Sequence, residues 1–366
     1  MEMYESVPNF SEGRHRDVID AIKAAAGRAY HLDTDADPDH NRAVVSLAGP
    51  KEKLTDALLA AIAEAVERID LRDHDGVHPR VGAADVVPIV PLGDASLETA
   101  RDIAHGLGGR VWSELKLPVY FYGHGENRAL ADIRAGRATL SLGGPDLHPT
   151  AGAVCIGARR TLVAFNVILY DTDLVGARAL ARSIRESGAG LRGVQALAFE
   201  LPGRRVQLSM NLFRVDGTTP ADVIAELTRR GVALGAEQVV GLCPAAAANP
   251  AADGRLLEGR LASAAATAGA AACEARGGEE HTALARRLRR EADELAALAA
   301  DQDVILAGAE RAAALGPVLR AAGVLNDELD ALLRVAARGL GDAVSPATRA
   351  IYQARTEALD ARLSGG

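Results

Sequence analysis

The 366-residue chain predicts an α/β (α+β) protein. It reads as two sub-domains of related split-βαβ plan, with mixed sheets flanking a cleft, followed by an all-helical C-terminal region. Three observations predict this. Strand-like apolar runs alternate with helical periodicities up to about residue 123. After residue 160 the order strand, helix, strand, strand, helix, strand begins afresh. From about residue 245 strand signals cease, and apolar and charged residues recur at helical spacing. The implied domains are residues 1–159, residues 160–245, an Ala/Gly-rich linker at 246–278 and a helical region at 279–366 of unassigned role.

Residues 3–7 read as a first strand, stopped by the turn residues of PNFSEG. Residues 14–26 place Val18, Ile19 and Ile22 at helical spacing. Residues 28–33 and 43–48 read as strands joined by an acidic turn, DTDADPDHN. Pro50 suits the first turn of the helix that follows. Residues 85–91 predict a strand, 96–107 a helix and 118–122 a strand. The Gly- and Pro-rich stretch 123–157 predicts mostly loop. In the second sub-domain, residues 160–169 read as a strand, and 173–186 as a helix capped by Asp171 or Thr172. The strands VQALAFEL and RVQLSMNLF turn through PGR. A helix at 219–230, capped by Thr218 or Thr219, precedes a strand at 238–243.

Composition narrows the function classes. A formal charge of −8 argues against general nucleic-acid binding while leaving room for a local cationic pocket. No run of 18 apolar residues appears, and the first residues have neither the basic start nor the apolar centre of a signal peptide. The three dispersed cysteines fit reduced thiols in the cytoplasm rather than a disulfide frame or a zinc site.

The chemistry concentrates in HDGVHPRVGAADVVPIVP, residues 74–91. His74 and His78 stand four apart, but Gly76 and Pro79 oppose a helix, so no metal is expected there. Pro79 biases His78 toward an extended backbone, and Gly82 permits a sharp turn or close approach before the strand. The residues alone equally allow a loop histidine and a surface arginine. The stretch 33–39 fails as a calcium loop, because Pro38 and Val44 stand where Gly and Glu belong. It remains either a solvated acidic turn or a source of carboxylates, Asp33 or Asp35, near His78, with Arg42 close by. GAVCIGARR at 152–160 offers small residues against which a planar ligand fits, but not in the dinucleotide-binding order. Ser11-Glu12-Gly13 lacks the context of a serine nucleophile.

The segments VPNFSEGR, DTDADPDHNRAV, HDGVHPRVGAADVVPIVP, LPVYFYG, IGARRTLVAFNVIL, VQLSMNL and EQVVGLCP occur in an order that closely resembles the formiminotransferase family, over about residues 1–245. The resemblance implies two α/β sub-domains flanking a folate-binding cleft, usually in a homodimer. It implies transfer of a formimino group from N-formimino-L-glutamate to N5 of tetrahydrofolate, a co-substrate, without a metal. It assigns catalysis to His78 of the H-P-R motif, with Asp35 as partner. It places folate or substrate binding at Gly152, Ala153, Val154, Cys155, Ile156, Gly157, Ala158, Arg159, Arg160 and Thr161. Arg80 and Arg42 join these as candidates for substrate carboxylates, because a planar guanidinium matches a carboxylate. Two local departures, PDLHP at 145–149 and GHG at 123–125, bear on the choice of donor. Animal relatives fuse a cyclodeaminase to this transferase. Its glycine-rich signature is absent here, so the helical tail is not expected to be a second enzyme. It reads as a bundle or dimerisation element, with docking of a separate cyclodeaminase as the alternative.

Overall fold

In a computed structural model, residues 1–76 and 79–364 are described. The chain divides into two compact units that meet in sequence at residues 160 and 161.

The first unit is built on a seven-stranded mixed sheet. In chain order it runs β1 Met3–Ser6, β2 Asn9–Phe10, α1 Arg16–Ala25, β3 Tyr30–Asp37, β4 Arg42–Gly49, α2 Lys51–Arg68, β5 Ala84–Leu92, α3 Leu97–Arg110, β6 Val119–Gly123, α4 Leu130–Arg134 and β7 Val154–Ala158. β7 lies between β5 and β6, parallel to both, and the remaining pairings are antiparallel. Alternate strand residues point to opposite faces. Val45, Leu47, Val87, Ile89, Phe121 and Ile156 therefore join Leu54, Leu58, Ile62, Ile103 and Leu107 of α2 and α3 in the main core. On the other face Val86, Tyr122 and Cys155 pack with Ile133 of α4.

Two expectations are corrected here. The acidic stretch is not a turn from residue 33: β3 continues to Asp37, because β4 supplies a partner register through residue 42. The stretch 123–157 is not mostly loop at its end. VCIGA is an inner strand, which the glycine within it and burial on both faces conceal.

The second unit opens with β8 Val163–Leu169, α5 Leu174–Ile184, β9 Val194–Leu201, β10 Arg205–Leu212, α6 Pro220–Arg229 and β11 Leu234–Val240. The sheet order β11-β8-β10-β9 is 4-1-3-2 by position, the split-βαβ plan. This sheet is wholly antiparallel rather than mixed, since each crossover helix returns the chain beyond a neighbour that runs the other way. The cap of α5 is Asp173, whose carboxylate accepts from Gly176 N, not Asp171 or Thr172. Thr219 caps α6 in a reciprocal box with Asp222.

Residues 246–278, where composition allows a linker, contain α7 Leu257–Arg276. Then come α8 Glu279–Ala296, α9 Gln302–Ala321, α10 Asp327–Ala343, α11 Pro346–Ile351 and α12 Gln353–Ser364. Small residues let these helices approach closely: a Cβ on Gly259 would lie 2.6 Å from the Leu295 carbonyl oxygen. Among the described residues no helix is long and apolar enough to cross a membrane.

Candidate active site

Segments of the first unit converge on a polar recess: the loop after β2, the turn between β3 and β4, residues 74–76, residues 79–83, and the start of β5. Asn41, in the turn, ties the loop after β2 to residues 74–76. Its backbone is left-handed, with φ 46°. Its side-chain oxygen accepts from Gly13 N at 2.9 Å, and its amide donates to the Asp75 carbonyl at 2.9 Å. Gly13 has no room for a Cβ, which would lie 2.3 Å from the Asp37 carbonyl oxygen. Asp37 shapes the turn by accepting from the backbone N–H groups of Asp39 and His40. Ser11 donates through its hydroxyl to the Gly82 carbonyl at 2.8 Å and through its backbone to Ala83.

His74 Nε2 donates to the Ser11 carbonyl at 2.7 Å, which assigns the proton to that nitrogen and leaves Nδ1 to accept from Arg80. Arg80 also donates to the Gly76 carbonyl at 3.1 Å. Burial, and then the Arg80 charge, lower the pKa of His74, which favours the neutral ring. Burial lowers the pKa of Arg80, and Asp85 opposes the shift. Burial pushes Arg42 down to about 10 against the pull of Asp85, and Arg134 and Arg80 push the same way as burial. Ser11, His40, Asn41, Arg42, Arg80 and Asp85 line a recess of about 10 Å³.

The structure thus brings Arg42 and Arg80 together. His78 lies outside the described residues, as does Val77. Asp35 sits within β3, opposite Val44, while Asp37 stands opposite Arg42. By strand alternation Asp35 shares the sheet face of Arg42, about 7 Å along the strand from Asp37. In the stretch 152–161, Gly152 to Ala158 are buried, Arg159 is half-buried and Arg160 is exposed. Val154, Ile156 and Ala158 serve the main core, whereas Cys155 faces Tyr122 and Val86. Burial raises the Cys155 thiol far above its usual range, so it is inert as a nucleophile. Gly157 pairs with Tyr122. Thr161 opens the second unit.

Sequence reasoning missed His74 as a positioned neutral ring, and missed Asp85 and Arg134. Asp85 carries a visible signal, an acid at the head of the apolar run VVPIV. Arg134 carries none. Among the described residues no group of three or more His, Cys, Asp or Glu side chains is placed to hold a metal ion.

Fold and site define an α/β protein with a cationic, carboxylate-edged recess at one end of a mixed sheet. Residues 3–159 match the formiminotransferase domain, N-terminal subdomain. The chain is 39% identical over 269 residues to the glutamate formimidoyltransferase of Thermoplasma acidophilum, covering 67% of this chain and 89% of that protein. It is 35% identical over 271 residues to the enzyme of the same name from Streptococcus pyogenes serotype M1, covering 67% and 90%. It is 34% identical over 273 residues to the formimidoyltransferase-cyclodeaminase of Rattus norvegicus, covering 66% of this chain and 50% of that protein. The chain belongs to the formiminotransferase family.

Proposed function

We propose that this chain transfers the formimino group of N-formimino-L-glutamate to N5 of tetrahydrofolate, yielding 5-formiminotetrahydrofolate and L-glutamate in histidine degradation. The observation that carries the reading is the 39% identity to a glutamate formimidoyltransferase over 89% of that enzyme's length.

His78 takes the proton from N5 as that nitrogen attacks the formimino carbon, and returns it to the glutamate nitrogen that departs. An imidazole with an ordinary pKa of ~6.5 suits both steps near neutrality. Asp35 stabilises the imidazolium or orients the cationic amidine. Arg42 and Arg80 take the carboxylates of the donor, and Arg159 at the end of β7 is the further candidate for a carboxylate of folate. Stretch 152–161 contributes to folate binding through its small residues. The enzyme works in the cytoplasm as a homodimer without a metal ion. The relatives' double name supports a separate cyclodeaminase as the partner that consumes the product.

Steady-state turnover with formiminoglutamate and tetrahydrofolate tests the reading. Turnover that appears only with another formimino or formyl donor would reassign the substrate. Folate binding without transfer of any such group would refute the catalytic role.

A further inference from the structure

Asp85 is 2% exposed, and its two oxygens are committed to different partners. One accepts from Val81 N at 2.6 Å, the backbone immediately past Arg80. The other accepts from Arg134 Nη2 at 2.8 Å, at the last residue of α4. Arg42 and Arg80 both feel the same carboxylate, and Arg134 and Arg80 both repel Arg42. The acid therefore pairs with Arg134 and shares the lining of one recess with Arg42 and Arg80, and a buried carboxylate does not persist unpaired. Arg134 Nε is buried with no hydrogen-bond partner among the described residues, a desolvation cost that packing does not offset.

The geometry points to Arg134 as a positioning residue for the donor substrate. By holding Asp85, it keeps one oxygen of that acid anchoring the backbone beyond Arg80. It also keeps the acid's charge from competing with the donor's carboxylates for Arg42 and Arg80. This rests on the reading that those two arginines bind the donor.

The test is steady-state kinetics of the full chain with formiminoglutamate and tetrahydrofolate. Arg134→Gln should raise KM for formiminoglutamate at least about tenfold, because the freed acid turns to Arg42 or Arg80, and leave KM for tetrahydrofolate within roughly twofold. Arg134→Lys should restore most of the loss. Adding Asp85→Asn to Arg134→Gln should improve on Arg134→Gln alone, because the competing charge is gone while the amide oxygen still accepts from Val81 N. A merely structural role predicts the reverse, a double variant worse than either single one. An unchanged donor KM in Arg134→Gln, an equal rise in both KM values, or a double variant worse than Arg134→Gln would each overturn the proposal. Should Arg134→Gln fail to fold, Asp85→Asn with and without Arg134→Gln decides. Equal donor KM values support the inference, and values more than roughly threefold apart sink it. A wild-type chain that does not turn over formiminoglutamate overturns the proposed donor, and with it this inference. Activity in the wild type with an unaffected Arg134→Gln overturns this inference alone.

Discussion

Asn41 and His74 build the recess one side chain at a time, and each yields a test. Alanine at 41 removes both hydrogen bonds and leaves a Cβ in a left-handed backbone without the local polar compensation that asparagine supplies. Asn41→Ala should cost about 2–3 kcal/mol in urea unfolding, and Asn41→Gly less, because glycine accepts the backbone. His74 gives a pH dependence with a definite sign. Its folded pKa lies below the ordinary histidine value, so the unfolded chain binds the proton more readily. Stability contributed by neutral His74 is present above the ordinary value, ~6.5, and is lost as pH falls from there through the lower folded value. His15 runs the other way, its pKa raised by Glu12. The informative quantity is therefore the difference between the wild type and His74→Asn across pH 5.5–7.5. The wild type should lose more stability on acidification. For His78, alanine should lower kcat by about 10²–10⁴-fold with little change in tetrahydrofolate KM. Equal losses in kcat and folate binding would make it a binding residue instead. These side chains were readable to different degrees. Arg80 stands out by its place beside His78 in the sequence, and Arg42 by its place after the acidic stretch. The partner of Asp85 appears only once α4, hidden in a stretch read as loop, brings Arg134 to it.

At the scale of elements, the failures and successes share a cause. β1, β4, β5 and β10 show strand composition between clear turn residues, and the helices show apolar spacing. β7 shows neither, because an inner parallel strand is buried on both faces and has no alternation to display. The same burial explains its glycines. A Cβ on Gly157 would lie 1.9 Å from the Tyr122 carbonyl oxygen in β6, and one on Gly82 would lie 1.9 Å from that of Ala153. Neither obstacle is a flexible side chain. Gly157→Ala should therefore destabilise the chain by about 1–3 kcal/mol, as overpacking does. A denaturation midpoint unchanged from the wild type would show that β6 and β7 tolerate wider spacing. β3 was misread for a different reason. Asp33, Asp35 and Asp37 favour turns locally, and pairing to β4 overrides that preference. The consequence reaches the site, since a strand rather than a turn places Asp35 on the same face as Arg42.

At the scale of the molecule, the second sheet and the helices from α7 onward belong to one compact unit. The Ala and Gly of this region, which also allowed a linker at 246–278, are the means of close helix packing. Glu258, early in α7, marks the join. It is 9% exposed and accepts from Ala245 N at 2.9 Å, and a Cβ on Gly339 of α10 would lie 2.7 Å from its Cγ. Burial raises its pKa above the ordinary carboxylate value, while the Ala245 N–H opposes the shift. Above that ordinary value the unfolded chain ionises first, so stability falls as pH rises toward the folded value. Glu258→Gln keeps an oxygen for Ala245 N and never ionises. It should therefore abolish that decline and stabilise the chain at pH 8 by about 1–3 kcal/mol, with little change at pH 4. Urea unfolding followed by far-UV circular dichroism at the two pH values checks this. If sheet and helices form one cooperative unit, the gain moves the whole transition of residues 161–366. A gain confined to a separate helical transition would show that the tail folds apart from the sheet.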